Sequence, residues 1–291
     1  MLEITYLKHY QIDKEKWNVA IENAHNGLVY ALSWYLDIVS PGWEALIAGD
    51  YNIVMPLTIK KENNKRIFFK PIFLQFLGVF GNDLKPEIIE KFIQFALKNV
   101  NEVNVWFNPQ NELYPNEFYT QRESQILYLK KNYKEHYKEY NRSNKQNLKK
   151  ALNESLVVSK DINMQVLTDT FKDMYAKKDV EGVGEKDYIN LQQIVKYALE
   201  NEEGEFYSVY YNNQICSVAF FLKWKNRYTI YAATSDLGRE KRSFFMLIDQ
   251  FIKDHAGQES FLDFAGSNIP GVAYLNKGFG AVSNIYYGVK I

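Results

Sequence analysis

Cysteine, histidine, net charge and long apolar runs are all in short supply. The 291-residue chain has one cysteine, Cys216, which excludes an intramolecular disulfide and any Cys/Cys or Cys/His metal pair, and which fits a reducing compartment. The four histidines, His9, His25, His136 and His255, stand apart without ligand spacing, so no metal centre is expected. Lys plus Arg and Asp plus Glu number 35 each, so no whole-molecule field draws the chain to nucleic acid or to an anionic membrane. Apolar runs such as residues 72–80 fall far short of the roughly 20 residues that a membrane-spanning helix needs. The opening MLEITYLKHYQIDKEKW has Glu3 early and no apolar segment, unlike a signal peptide. A cytoplasmic protein without a membrane span and without DNA as a partner is expected. Also missing are a G-x-S-x-G elbow, a Walker loop and a Rossmann glycine fingerprint, which removes the commonest signatures of hydrolase, nucleoside-triphosphate and dinucleotide chemistry.

What is present is core material. The chain is 46% hydrophobic, with 19 Phe and 22 Tyr, and at about 150 residues per domain its length corresponds to roughly two domains. Helical patterns over 14–25 and 31–39 are followed by three strand-like runs, GWEALIAG, YNIVMPLTIKK and RIFFKPIFLQFLGVF, which read as an antiparallel meander. Pro56 and Pro71 each lack a ladder donor and belong at an edge or bulge. A helical pattern after Pro86 and the strand VNEVNVWFN complete the first set. The last third repeats the order: GEFYSVYYN, QICSVAFFLKWK and RYTIYAATS as strands, SFFMLIDQFIKDHAG as a helix and ESFLDFAGS as a strand. A short helix, GVAYLNKG, and a final strand, FGAVSNIYYGVKI, follow. Matching order of elements predicts two copies of one α/β unit, with mixed sheets and domain ranges of 1–125 and 126–291.

Between the copies, residues 130–153 carry eight basic side chains against Glu135 and Glu139. Tyr133, Tyr137, Tyr140, Leu148, Ala151 and Leu152 recur at helical spacing there, so a helix would bury one stripe and present a basic face. That face is either a solvated surface or a contact for the phosphates of a cofactor, a nucleotide-linked substrate or tRNA, with Arg142, Lys145 and Lys149 as candidate substrate-binding residues. Cys216, amid apolar strand residues, reads as a buried inert thiol.

The C-terminal stretch DFAGSNIPGVAYLNKGFGAV, a strand followed by Gly-Ser-Asn, a helix with Ala273-Tyr274 and a closing Gly278-Phe279-Gly280, resembles the last motif of GNAT-superfamily acyltransferases. With KPIFLQFLGVF and NRSNKQNLKKA, the order of motifs over nearly the whole chain is similar to the Fem-type branch of tandem GNAT proteins. The resemblance implies two tandem GNAT-like domains, with the active site in the second. It also implies transfer of an acyl group from an acyl thioester, with acyl-CoA as the donor, to a small-molecule amine acceptor, with no cofactor bound permanently. A tRNA-dependent aminoacyltransferase acting on a cell-wall precursor, and a non-catalytic module that kept the fold, are the alternatives.

Residue by residue, the resemblance places Tyr274 at the family tyrosine, as the acid that protonates the leaving group. Asp263 is expected to accept the amine proton, with Lys277 as a further catalytic candidate. Backbone donors near Ala232 and Ala233 would meet the carbonyl oxygen, on a strand that splays from the one holding 261–265. The pyrophosphate pattern R/Q-x-x-G-x-G/A is absent; SDLGREKRS offers Gly238, Arg239, Lys241 and Arg242 beside a helix N-terminus, and Ser267 and Asn268 complete the candidate donor site.

Overall fold

A computed structural model describes residues 2–177, 182–265 and 269–291. The chain divides into two compact units, Met1–Glu123 with Ile285–Ile291, and Ser124–Asn284.

Unit 1 contains β1 (Ile4–Leu7), α1 (Lys14–Asn23), α2 (Ser33–Val39), β2 (Glu44–Ala48), β3 (Ile53–Leu57), β4 (Ile59–Glu62), β5 (Lys65–Phe69), β6 (Phe80–Gly81), α3 (Pro86–Leu97) and β7 (Glu102–Trp106). Asp13 caps α1 by accepting from the Glu15 and Lys16 amides, and the helix buries Trp17 and Ile21. Pro86 opens α3, whose buried Ile89, Phe92, Ile93 and Ala96 follow the helical period.

The expected meander divides in two. YNIVMPLTIKK breaks at Thr58, so that β3 joins the sheet β1-β2-β3-β6 whereas β4 pairs with β5. Pro56 lies opposite Ala45 of β2, while β6 pairs with β3 only at Ile53 and Val54, so the proline sits where the far edge is open. RIFFKPIFLQFLGVF is a continuous strand only to Phe69 and re-enters a sheet at Phe80. Pro71 then ends the ladder, and Phe73, at φ 63°, turns the chain while its carbonyl accepts from the Tyr35 hydroxyl at 2.5 Å. β5 runs parallel to β7, and β7 pairs antiparallel with the C-terminal strand, placing Trp106 opposite Gly288.

Unit 2 continues with β8 (Tyr119–Tyr128, of which 124–128 belong here), α4 (Tyr133–Glu139), α5 (Arg142–Leu152), β9 (Leu156–Ser159), α6 (Met164–Lys177), α7 (Glu185–Glu200), β10 (Gly204–Tyr211), β11 (Gln214–Trp224), β12 (Arg227–Thr234), α8 (Asp236–Glu240), α9 (Ser243–His255), β13 (Phe261–Asp263), α10 (Pro270–Lys277) and the start of β14 (Val282–Lys290, of which 285–290 belong to unit 1). Its strands order as β8-β13-β12-β11-β10-β9. The pairings β10–β11 and β11–β12 are antiparallel hairpins as expected, and β12–β13 is parallel. Helix α9 covers the sheet: Phe251 stacks on Phe221 at 3.8 Å between centroids and meets Tyr207 and Tyr228 edge-on.

The single basic helix expected over 130–153 is two helices. Asn132 caps α4 and Asn141 caps α5, because an asparagine side chain that accepts from the third amide onward ends one helix and starts the next. Their buried stripe is Tyr140, Leu148 and Ala151, whereas Tyr137 and Leu152 are exposed. Among the described residues, no helix is long and apolar enough to cross a membrane.

Candidate active site

The site is built from the end of β12 outward. Strands β12 and β13 pair only at Arg227↔Phe261, Tyr228↔Leu262 and Thr229↔Asp263. Beyond Asp263 the chain leaves β12: the Phe264 amide donates to Gln125 of β8, and Ala265 turns at φ 54°. Ala232 and Ala233 pair with Ala219 and Val218 of β11 on their other side, so this stretch of β12 has a ladder on one edge and an opening on the β13 edge. Two parallel strands that part in this way expose backbone donors and acceptors to an extended ligand.

Asp263 closes the floor of the opening. It is fully buried; Oδ1 accepts from the Ala265 amide at 2.9 Å, and Oδ2 lies 2.8 Å from Nη2 of Arg227, a residue that the sequence reasoning did not single out. The charges meet off the hydrogen-bond directions, so this is a close ion pair and Arg227 Nε keeps no hydrogen-bond partner. Arg227 reaches Asp263 because its strand partner Phe261 stands two residues before Asp263, a register that the sequence does not reveal.

Tyr274 stands on α10 with 61% of its surface exposed, so it is not a core residue. Helix α10 is short and begins with Pro270, and it is anchored by its polar side. Asn276 is buried and its Nδ2 donates to Gln125 at 3.2 Å, while the Leu275 carbonyl accepts from Asn144 of α5 at 3.0 Å. Lys277 ends the helix. Phe279 is buried edge-on to Tyr140 at 5.0 Å, and a Cβ at Gly278 would lie 2.5 Å from Asn144 Oδ1. The closing Gly-Phe-Gly therefore docks α10 on α4 and α5.

The segment after β12 folds on itself as α8. Ser235 caps it, and the amides of Gly238, Arg239, Lys241 and Arg242 donate to the Ser235 hydroxyl, Ser235 carbonyl, Leu237 carbonyl and Arg239 carbonyl. Arg239 pairs with Asp236, Arg242 Nη1 donates to the Arg239 carbonyl at 2.7 Å, and Lys241 pairs with Glu154 at 2.9 Å. Few donors of this loop are left for a pyrophosphate. Ser267 and Asn268, expected in the donor site, lie outside the described residues.

Arg142, Lys145 and Lys149 come together on the outer face of α5. With Tyr137, Gln146 and Leu152 they line a groove of about 460 Å³, and among the described residues no carboxylate lines it. Lys145 is held there by the Lys138 carbonyl at 2.9 Å and by the Tyr137 ring, 5.6 Å from its centroid. Behind the groove, buried Asp249 accepts from the hydroxyls of Tyr133 and Tyr140 at 2.9 and 3.1 Å and pairs with Lys253. Burial, reinforced by that carboxylate, pushes both tyrosines well above the usual phenol range.

No family model and no curated protein matches the chain. Solved structures do. FemX superposes with a TM-score of 0.61 at 12% identity, covering 99% of this chain and 97% of that one. A tandem GNAT protein from the clavulanic acid biosynthesis pathway gives 0.53 at 10%, covering 99% and 98%. The C-terminal domain of a putative lysylphosphatidylglycerol synthetase from Agrobacterium fabrum gives 0.54 at 12%, covering 95% and 91%. The fold is thus the tandem GNAT fold, shared with FemX.

Proposed function

We propose that unit 2 transfers an aminoacyl group to an amine at the opening beside β12, and that the donor is an aminoacyl-tRNA rather than an acyl-CoA. The observation that carries the transfer reading is the end of β12–β13 pairing at Thr229↔Asp263: Ser235 and hence Ala233 direct their backbone groups to β11, which leaves the Ala232 backbone facing the opening to hold the donor carbonyl and its developing oxyanion. The amine attacks that carbonyl, the ester C–O bond breaks, and Tyr274 gives a proton to the departing ribose oxygen. Lys277, at the end of the same helix, is the further cation this reading assigns to negative charge on the donor. Asp263 is a positioning residue: it fixes Arg227 and the turn at Ala265, and the amine proton leaves through water.

Two observations support the choice of donor. The α8 amides that would cradle a pyrophosphate donate within their own loop, and the groove of Arg142, Lys145 and Lys149 lies on the helix that holds α10. Phosphates binding such a groove release counterions, which makes affinity fall steeply with salt.

Aminoacyl-tRNA should raise the melting temperature and bind with a negative salt slope that becomes shallower by about 2–3 in Arg142→Gln/Lys145→Gln/Lys149→Gln. Acyl-CoA species should leave the melting temperature unchanged. A stabilising acyl-CoA that is turned over with an amine would replace this donor with a thioester.

A further inference from the structure

Two cations of unit 1 meet at one ring, and among the described residues no carboxylate pairs with either. Lys70 follows β5, and its Nζ lies 4.5 Å from the ring centroid of Trp106, the last residue of β7. The Cζ of Arg122, on β8, lies 5.2 Å from the same ring. Among the described residues, Lys70 donates to the carbonyls of Leu74 at 3.1 Å and Pro71 at 3.3 Å and to no other group, and Arg122 Nε is buried without a hydrogen-bond partner. Among the described residues neither forms an ion pair, and Arg122 is the one charged group that acts appreciably on Lys70.

The surrounding strands make room for this arrangement. Gly288 faces Trp106 across the C-terminal strand pairing, and a Cβ there would lie 2.9 Å from Arg122 Nε, so the glycine lets the guanidinium lie flat against the sheet. Gln75, adjacent to Leu74 in the chain, buries an Nε2 that also lacks a partner. Lys70, Gln75, Trp106 and Arg122 are each partly exposed as residues, while Gln75 Nε2 and Arg122 Nε are themselves buried, so an anion must part the surrounding side chains to meet them. Burying like charges together without a counterion costs free energy that an arriving anion would recover.

We propose that Lys70 and Arg122, gathered on the Trp106 ring, form a binding site for the oxyanion group, carboxylate or phosphate, of a small molecule. The site lies within unit 1 and does not rest on the transfer reading of unit 2. Burial, with the Arg122 charge adding to it, lowers the Lys70 ammonium to about 8. A bound anion supplies the missing countercharge, so binding draws a proton onto Lys70 and weakens as pH rises past that value.

The test uses the full chain with low-millimolar sulfate, a dianion throughout the range, or acetate, each against chloride at matched ionic strength. At about pH 7 at least one anion should raise the melting temperature, and its affinity should fall about tenfold or more by about pH 9.5. A sulfate response identifies a phosphate-bearing ligand and an acetate response a carboxylate. The rise should vanish in Lys70→Met and persist in Arg142→Gln/Lys145→Gln/Lys149→Gln, which separates this site from the groove of unit 2. Should Lys70→Met fail to fold, titration calorimetry of the unmodified protein near pH 8, in buffers of different ionisation enthalpy, reads the proton uptake directly. No response to either anion, a response that survives Lys70→Met, or binding without proton uptake each overturns the proposal.

Discussion

Gly238 lies so close to the carbonyl of Cys216 that a Cβ on it would stand 1.9 Å from the oxygen and 2.6 Å from the carbon. Both are backbone atoms of β11, which cannot swing aside as a side chain can. The glycine in the loop after β12 is therefore explained by seating α8 on the sheet, without reference to any ligand. Gly238→Ala should cost about 3 kcal/mol by overpacking, a melting temperature drop of roughly 5–10 °C. Thermal unfolding checks this, and an unshifted transition would mean that α8 has slack to move.

Asp263 and Arg227 make a different kind of contact, one in which each partner is costly without the other. Asp263→Asn keeps an oxygen for the Ala265 amide but leaves the guanidinium, only 13% exposed, without its countercharge. The loss should be about 3–5 kcal/mol, whereas the double variant Asp263→Leu/Arg227→Met should lose much less than Asp263→Leu and Arg227→Met measured singly and added together. A double-mutant cycle by urea unfolding decides this; additive losses would show that the ion pair contributes no coupling.

The acid limb of stability should carry a signature of Glu205. Its carboxylate accepts from His255 Nε2 at 2.9 Å while His255 Nδ1 meets the Phe251 carbonyl, also at 2.9 Å. The histidine hydrogen bond lowers the Glu205 pKa below the usual carboxylate value against the opposing effect of burial. A depressed folded-state pKa gives stability that is present above the unfolded value of about 4.3 and is lost as pH falls through the folded one. Glu205→Gln should therefore melt lower than the unmodified protein at neutral pH, with the gap closing below about pH 4. A gap of constant size across that range would assign the loss to packing.

The parts legible in the sequence were those governed by local pattern. β10, β11 and β12 are runs of 8, 11 and 8 residues rich in aromatic and β-branched side chains, with Asn212-Asn213 and Lys225-Asn226 turns between them, and can be read without a partner in view. β1 and β9, each four residues long, carry too little pattern to register, and α8 is a single capped turn. The division of the basic segment depended on Asn141 being a cap, which its side chain accepting from Asn144 decides and its identity alone does not. Arg142, Lys145 and Lys149 were readable because one helix face brings them together, whereas Lys70, Trp106 and Arg122 meet only through strand order. Tyr274 was singled out by motif alone, and its exposure became known only when α10 was seen to hang from Asn276 and Leu275.

That exposure makes Tyr274→Phe a clean experiment. The substitution removes one hydroxyl and keeps a ring that is 61% exposed, so the melting temperature should stay within about 1 °C and donor affinity should hold. If the hydroxyl protonates the leaving oxygen, turnover should fall about 10²–10⁴-fold, with kcat and kcat/KM falling together because the interaction exists only in the transition state. A tyrosine that merely contacts the donor would instead raise KM and spare kcat. Single-turnover transfer from aminoacyl-tRNA to an amine, measured beside the melting curve, separates the two. An unchanged rate would remove Tyr274 as the acid and pass that role to Lys277.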